Sequence, residues 1–202
     1  MITHNRMAVR LYFNWKYRRE DPYGLRTHEY EIAKLDKTAG VAAAHGPFAR
    51  ALEIGCGEGL LTERLAPLAG EMLAVDISDL AVTRARERFA TLHNVRVERM
   101  DMLVDKFHET FDLVAASEVL YYLERDQLPE AARKVKGLVK PGGALLLAHA
   151  RAMADDTSGV EEKTFGAKTI HGLFMADPDF QTVDDIPEPA YRITFLRRES
   201  RS

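Results

Sequence analysis

Cysteine is nearly absent from this chain. Cys56 is the single one in 202 residues, so no internal disulfide can form and thiolates cannot build a metal cluster. Long apolar runs are missing too. No stretch approaches the ~20 apolar residues of a membrane-spanning helix. The opening Met1-Ile2-Thr3-His4-Asn5-Arg6 lacks the apolar core of a secretion signal. A cytoplasmic location is the expectation. Positive charge is not in excess: 28 Lys and Arg stand against 31 Asp and Glu, for a net charge of −3. That argues against a general nucleic-acid or membrane-surface binder, which would show a basic stripe. The basic tail from Arg197 to Arg201 is short and reads as a solvated end. No internal repeat or low-complexity segment occurs, and no cluster of His and acidic residues has metal-ligand spacing, so no metal is expected.

What is present is ordinary globular material, 46% hydrophobic and 29% charged, in a chain long enough for one domain with a real core. The spacing predicts a helix over Thr27 to Ala44, stopped by Gly46-Pro47. Strands are expected near Ala49 to Ile54, Glu71 to Asp76, Val95 to Met100, Phe111 to Ala116 and Ala144 to His149. Helices at Leu60 to Leu68, Leu80 to Thr91 and Leu128 to Val139 alternate with them, and Ser78 or Asp79 can cap the second. The fourth strand is nearly all apolar, as burial on both faces requires. Two further strand-like runs, Phe180 to Asp184 and Tyr191 to Arg197, suit a hairpin. The fold expected is α/β: a Rossmann-like doubly wound sheet of seven strands, mostly parallel, with an antiparallel C-terminal edge strand. Residues 1–202 form one domain in this reading, with a helical cap segment over 1–45 and the Rossmann-like core over 46–202.

The most informative run is Ala51-Leu52-Glu53-Ile54-Gly55-Cys56-Gly57-Glu58-Gly59. It is an apolar strand ending in an acid and three alternating glycines. Glycine turns sharply and lets a ligand approach without a Cβ in the way. At the carboxyl end of a first strand, that approach suits a nucleotide-like cofactor. The dinucleotide fingerprint G-x-G-x-x-G/A would put its third small residue at Leu60, where leucine blocks close helix–strand packing. A phosphate-binding loop would need Gly-Lys-Ser/Thr, and no such triplet follows Gly59. Cys56 reads as a small packed residue, since nothing pairs a base with it.

The pattern from Glu53 to Gly59 resembles motif I of the class I S-adenosylmethionine-dependent methyltransferases. Three later segments resemble the same family in the same order. Leu73-Ala74-Val75-Asp76-Ile77-Ser78 ends the second strand in an acid, whose carboxylate can accept both ribose hydroxyls. Arg99-Met100-Asp101-Met102 ends the third, where the family's acid accepts from the adenine amino group and the next backbone amide donates to the ring. Phe111 to Leu120 and Leu138 to Leu147 are similar to the family's fourth- and fifth-strand segments. The resemblance implies S-adenosylmethionine as cofactor, S-adenosylhomocysteine as product and a small-molecule acceptor. The implied cofactor set is Glu53, Gly55, Cys56, Gly57, Asp76, Ile77, Asp101, Met102 and Ser117, with Tyr23 and Tyr30 near the methionine end.

A closer resemblance is to the nodulation N-methyltransferases, the NodS-like family. It rests on Ser117-Glu118-Val119-Leu120-Tyr121-Tyr122-Leu123-Glu124, on Asp21-Pro22-Tyr23-Gly24 with Tyr30-Glu31, on His149-Ala150-Arg151, and on Phe165 to His171. Tyr23 stands where that family has tryptophan, Lys168 where it has an acid, and His149 where it has a small residue. The resemblance implies N-methylation of an amine, with an amino sugar as one possible form.

Methyl transfer is an in-line displacement in which alignment does most of the work and positive charge grows on the acceptor. An amine must arrive unprotonated, and a carboxylate or ring then favours the cation. An alcohol needs a base, most often histidine. Glu118, Tyr122 and His149 are the candidate catalytic residues at the ends of the fourth and fifth strands. Each has a plain alternative: Glu118 as a charge closing a strand, Tyr122 as packing in place of Tyr121, His149 as a satisfied core histidine. His171 reads as structural. The polar stretch from Met153 to Thr164 is expected to border the acceptor pocket. Three rivals stay open. One is an O-methyltransferase using His149 as base. Another is a non-catalytic S-adenosylmethionine-binding protein. The third, a nicotinamide oxidoreductase, is disfavoured by Leu60. A monomer or homodimer is expected, with no nucleic-acid or membrane partner.

Overall fold

The computed structural model describes residues 5–155 and 163–200. The chain divides into two compact units, residues 1–105 and 106–202. All seven strands belong to one sheet, in the order β3-β2-β1-β4-β5-β7-β6. The expected class is therefore the observed one.

The first unit runs α1 (Arg6–Lys16), α2 (Glu29–Ala43), β1 (Phe48–Ile54), α3 (Leu60–Leu65), β2 (Ala69–Asp76), α4 (Asp79–Arg88) and β3 (Val95–Arg99). Its strands pair in parallel, with Ile54 opposite Val75 and Asp76 opposite Arg99. Ser78 is the cap of α4: its hydroxyl accepts the Ala81 N–H at 3.2 Å. Pro67 follows α3, and the chain tightens there into a 3₁₀ turn over Ala66–Leu68. Helix α1 lies within the segment expected to be helical over 1–45. Asn5 caps it by accepting from Ala8 at 3.2 Å. Only Val9 of α1 is buried.

The second unit runs β4 (Phe111–Ser117), α5 (Leu128–Leu138), β5 (Val139–Ala150), α6 (Ala167–Met175), β6 (Phe180–Pro187) and β7 (Tyr191–Arg198). Strand β4 pairs in parallel with β5, whereas β5–β7 and β7–β6 are antiparallel. The C-terminal hairpin thus makes the antiparallel edge. Leu113, Val114, Ala115, Ala116 and Leu145 to Leu147 are all buried, so these central strands read as apolar runs. The Lys140-Pro141-Gly142-Gly143 stretch, a turn by composition, lies inside β5. The register jumps there from Phe111 opposite Val139 to Leu113 opposite Ala144, a bulge that Gly142 permits at φ 77°. Among the described residues, no helix is long and apolar enough to cross a membrane.

Candidate functional site

The glycine loop leaves β1 with Gly55, Gly57 and Gly59 all at positive φ, at 75°, 54° and 86°. Two close approaches require glycine. A Cβ at Gly57 would lie 2.6 Å from the Tyr17 hydroxyl, and one at Gly59 would lie 2.5 Å from the Phe89 ring. The loop's amides are already engaged. Gly55 and Cys56 both donate to the Val75 carbonyl, at 2.8 and 3.0 Å, and Gly59 donates to Cys56. Gly57 donates to Asp76, and the space a Cβ would take at Gly57 and Gly59 is filled by Tyr17 and Phe89. Cys56 packs with Ala74, Val82, Ala85, Phe89 and Val97. Burial pushes its thiol well up, with Asp76 and Glu53 adding to the effect.

Asp76 closes β2 and is nearly fully buried. Gly57 donates to its Oδ2 at 2.9 Å and Ser78 to its Oδ1 at 2.8 Å. Burial raises its carboxyl above the usual value, while the amides of Ser78, Gly57 and Ile77 favour the charged form. Each oxygen keeps lone-pair capacity for a second donor, which two neighbouring hydroxyls would supply. Glu53 lies behind the loop. Burial pushes it up to about 7, against the hydrogen bond from the Thr62 hydroxyl at 2.5 Å. Ile77 is half-buried.

Asp101 follows β3 and is buried beside Met102. Its Oδ1 accepts the Leu103 N–H at 3.0 Å. Both of its oxygens also hold the Arg6 guanidinium, at 2.6 and 2.9 Å. Helix α1 continues along α4, where Arg10 grips Asp79 at 2.7 and 2.6 Å and Asn14 bonds Asp79 and Ser78 at 2.8 Å each. Arg10 holds the Asp79 carboxyl down at about 2. Sequence reasoning passed over Arg6, Arg10 and Asn14. The available signal was Asn5 as a cap, followed by three polar residues at i, i+4, i+8. Tyr23 meets Tyr17 edge to face at 5.9 Å, and Lys16 lies 5.8 Å from the Tyr23 ring centre. Tyr30 is 47% exposed, with Lys34 over its ring. Glu58, also passed over, is buried against Arg84 and Arg26. It lines a cavity of about 450 Å³ with Glu20, Arg26, Arg84, Glu87 and Arg88, where the signs balance.

In the second unit, Ser117 ends β4 and Glu118 follows at φ 52°. A non-glycine residue there is strained, a feature that collects at functional sites. The Glu118 carboxylate accepts the Tyr121 hydroxyl and, at 3.3 Å, the Ala150 N–H. A 3₁₀ turn over Leu120–Tyr122 presents both tyrosines, each half-buried, with rings edge to face at 4.8 Å. The expectation that one of them packs into the core is not met. The Lys163 ammonium lies 5.0 Å from the Tyr121 ring centre and 4.8 Å from that of Tyr122. His149 is fully buried; its Nε2 accepts the Leu120 N–H at 3.3 Å and its Nδ1 meets His171 Nε2 at 3.1 Å. Of the stretch expected to border the acceptor pocket, residues 156–162 lie outside the described residues.

Three comparisons bear on this geometry. The family model for nodulation protein S (NodS) matches residues 9–184. Nodulation protein S of Bradyrhizobium diazoefficiens is 32% identical over 157 residues, covering 77% of this chain and 73% of that protein. A ubiquinone biosynthesis O-methyltransferase of Xanthomonas campestris is 34% identical over 128 residues, 59% of this chain and 50% of that one. In three dimensions, the crystal structure of N-methyltransferase NodS from Bradyrhizobium japonicum, in complex with S-adenosylhomocysteine, is similar with a TM-score of 0.81. It is 24% identical over 94% of this chain and 97% of that one.

Proposed function

The chain belongs to the nodulation protein S family, and from that premise we propose that this S-adenosylmethionine-dependent methyltransferase N-methylates a small amine. The cofactor would supply an electrophilic methyl group on a sulfonium. Asp76 would accept the ribose hydroxyls, Asp101 the adenine amino group, and the Met102 amide would face the ring. Gly55, Cys56 and Gly57 would admit the methionine part, with Glu53 behind them and Ile77, Tyr23 and Tyr30 alongside. The buried, doubly amide-bonded Asp76 fits such a group.

The observation that carries the amine reading is Lys163. Its ammonium lies over the faces of Tyr121 and Tyr122, and it stands in for the protonated or methylated amine of an acceptor. Two ring faces beside a carboxylate attract a cation, by about 0.5–2 kcal/mol per ring contact depending on desolvation. Such a site favours the charge that develops on nitrogen during transfer. Glu118 is the carboxylate, tied to Tyr121 through the phenol. The O-methyl reading needs His149 to take a proton, and both of its ring nitrogens have partners inside the fold.

The test is incubation with labelled methyl donor and a panel of amino sugars, other amines, phenols and acids, read by mass spectrometry. Label on amines, lost in Tyr122→Leu and retained in Tyr122→Phe, is the expected result. Label on phenols alone, abolished by His149→Ala, would replace it with the O-methyl reading. Binding of S-adenosylhomocysteine with no acceptor turned over would favour a binding protein.

A further inference from the structure

Behind the tyrosine turn lies a chain of hydrogen bonds whose direction is determined by its first member. The Leu120 N–H can only donate, so His149 Nε2 must carry a lone pair. A neutral imidazole has one N–H, and that proton must then sit on His149 Nδ1. It donates to His171 Nε2 at 3.1 Å. His171 in turn carries its proton on Nδ1 and donates to Thr194 Oγ1 at 2.7 Å. The Thr194 hydroxyl donates to Asp185 Oδ1 at 3.2 Å. Asp185 is kept ionised by Arg192, whose Nε and Nη2 reach its two oxygens at 2.6 Å each. His149, His171 and Thr194 are all fully buried. Reversing any link would set two donors or two acceptors against each other in a dry interior, a heavy cost for buried polar groups.

We infer that His171, with Thr194 and Asp185 behind it, is a positioning residue: it holds His149 in the Nδ1–H form and through it anchors the Leu120–Tyr122 turn that presents the two tyrosines. The inference rests on the reading of those tyrosines as the cation site. His149 is then an anchor whose Nε2 is occupied by backbone. The Tyr121 ring leans edge-on against His149 at 5.8 Å, so a shift of the imidazole is felt directly by the aromatic pair. Burial holds His171 well below the usual histidine range, with His149 and Arg192 acting in the same direction. His171 therefore stays neutral as the surrounding solution is acidified. The sequence separates these groups widely, on β5, α6, β7 and β6, and the antiparallel pairing of β5 with β7 and of β7 with β6 draws them together.

The experiment has two arms on the full chain. Long-range nitrogen–proton NMR on the wild-type protein reads the tautomers of His149 and His171, with Nδ1–H expected for both. A histidine in water favours Nε2–H, so the result is diagnostic, and finding His149 as Nε2–H or as a cation would overturn the inference. In the second arm, methylammonium is titrated and followed by the ring resonances of Tyr121 and Tyr122. His171→Leu is expected to weaken binding by about fivefold or more, with His171→Gln recovering much of it because its amide can still accept from His149. Affinity for S-adenosylhomocysteine, measured on the same samples, should stay within about twofold. Unchanged methylammonium binding in a folded His171→Leu protein would overturn the positioning role. The tautomer arm needs no acceptor, so it stands or falls apart from the amine reading.

Discussion

Both carboxylate oxygens of Asp101 are held by the guanidinium of Arg6, at 2.6 and 2.9 Å. The two residues lie 95 positions apart, and the acid is almost buried whereas the arginine is partly exposed. Arg6, Arg10 and Asn14 occupy one stripe of α1 and reach Asp101, Asp79 and Ser78 in turn. The helix is thus tied by polar contacts to the two strand ends that carry the proposed ribose and adenine acids.

An adenine amino group approaching Asp101 must share that carboxylate with Arg6 or displace it. Arg6→Ala is therefore expected to bind S-adenosylhomocysteine more tightly, by a few-fold to about tenfold, with the gain shrinking as salt screens the ion pair. Calorimetry at two ionic strengths checks it. Weaker binding in the variant would mean that Arg6 helps hold the cofactor instead.

Asp76 accepts from Gly57 and Ser78 while offering its remaining lone pairs to a ribose. Asp76→Asn turns one acceptor oxygen into a donor group facing a backbone N–H. The expected effect is a loss of S-adenosylhomocysteine affinity of about tenfold or more, and a fall in stability of about 1–3 kcal/mol. Calorimetry and urea unfolding measure the two separately.

Glu53 gives a pH dependence with a definite sign. Its folded value, about 7, lies above the ordinary 4.5, so the folded state binds the proton more tightly than the unfolded chain. The stability from this group is complete below about pH 4.5 and is lost as pH rises through about 7, a change of up to ~3 kcal/mol. Urea midpoints should fall between pH 5 and pH 8 more in the wild-type protein than in Glu53→Gln. Parallel pH profiles for the two proteins would contradict this.

Two glycine substitutions should move stability in opposite directions. Gly59 has φ 86°, and a Cβ there meets the Phe89 ring at 2.5 Å, so Gly59→Ala should destabilise by about 2 kcal/mol or more. Gly40 lies inside α2, where a Cβ meets nothing within 4 Å. Gly40→Ala should stabilise by about 0.5–1 kcal/mol. Urea denaturation of both variants decides the contrast.

The strands were legible because central strands buried on both faces must be apolar runs, and β4 and β5 are. Asp76 ends β2 and Asp101 follows β3 by two residues, and it was the resemblance of these segments that singled out both acids. A helical segment over 1–45 was expected, but not which face of α1 is turned inward: Met7, Leu11 and Trp15 are exposed and only Val9 is buried. The α1 anchors Arg6, Arg10 and Asn14 recur at helical spacing, but their partners lie 64 to 95 residues away, so the period shows the stripe and not what it grips.

The sequence by itself determined the alternation of strands and helices, the glycine turn after β1 and the acids that follow it. Those features are local: they depend on backbone conformations and burial periods that neighbouring residues impose. Only the tertiary structure decided that Arg6 sits on Asp101, that Lys163 lies over the tyrosine pair, and which nitrogen of His149 keeps its lone pair. Each of these depends on groups distant along the chain and close in space, where a buried polar atom takes the role that its partner leaves open.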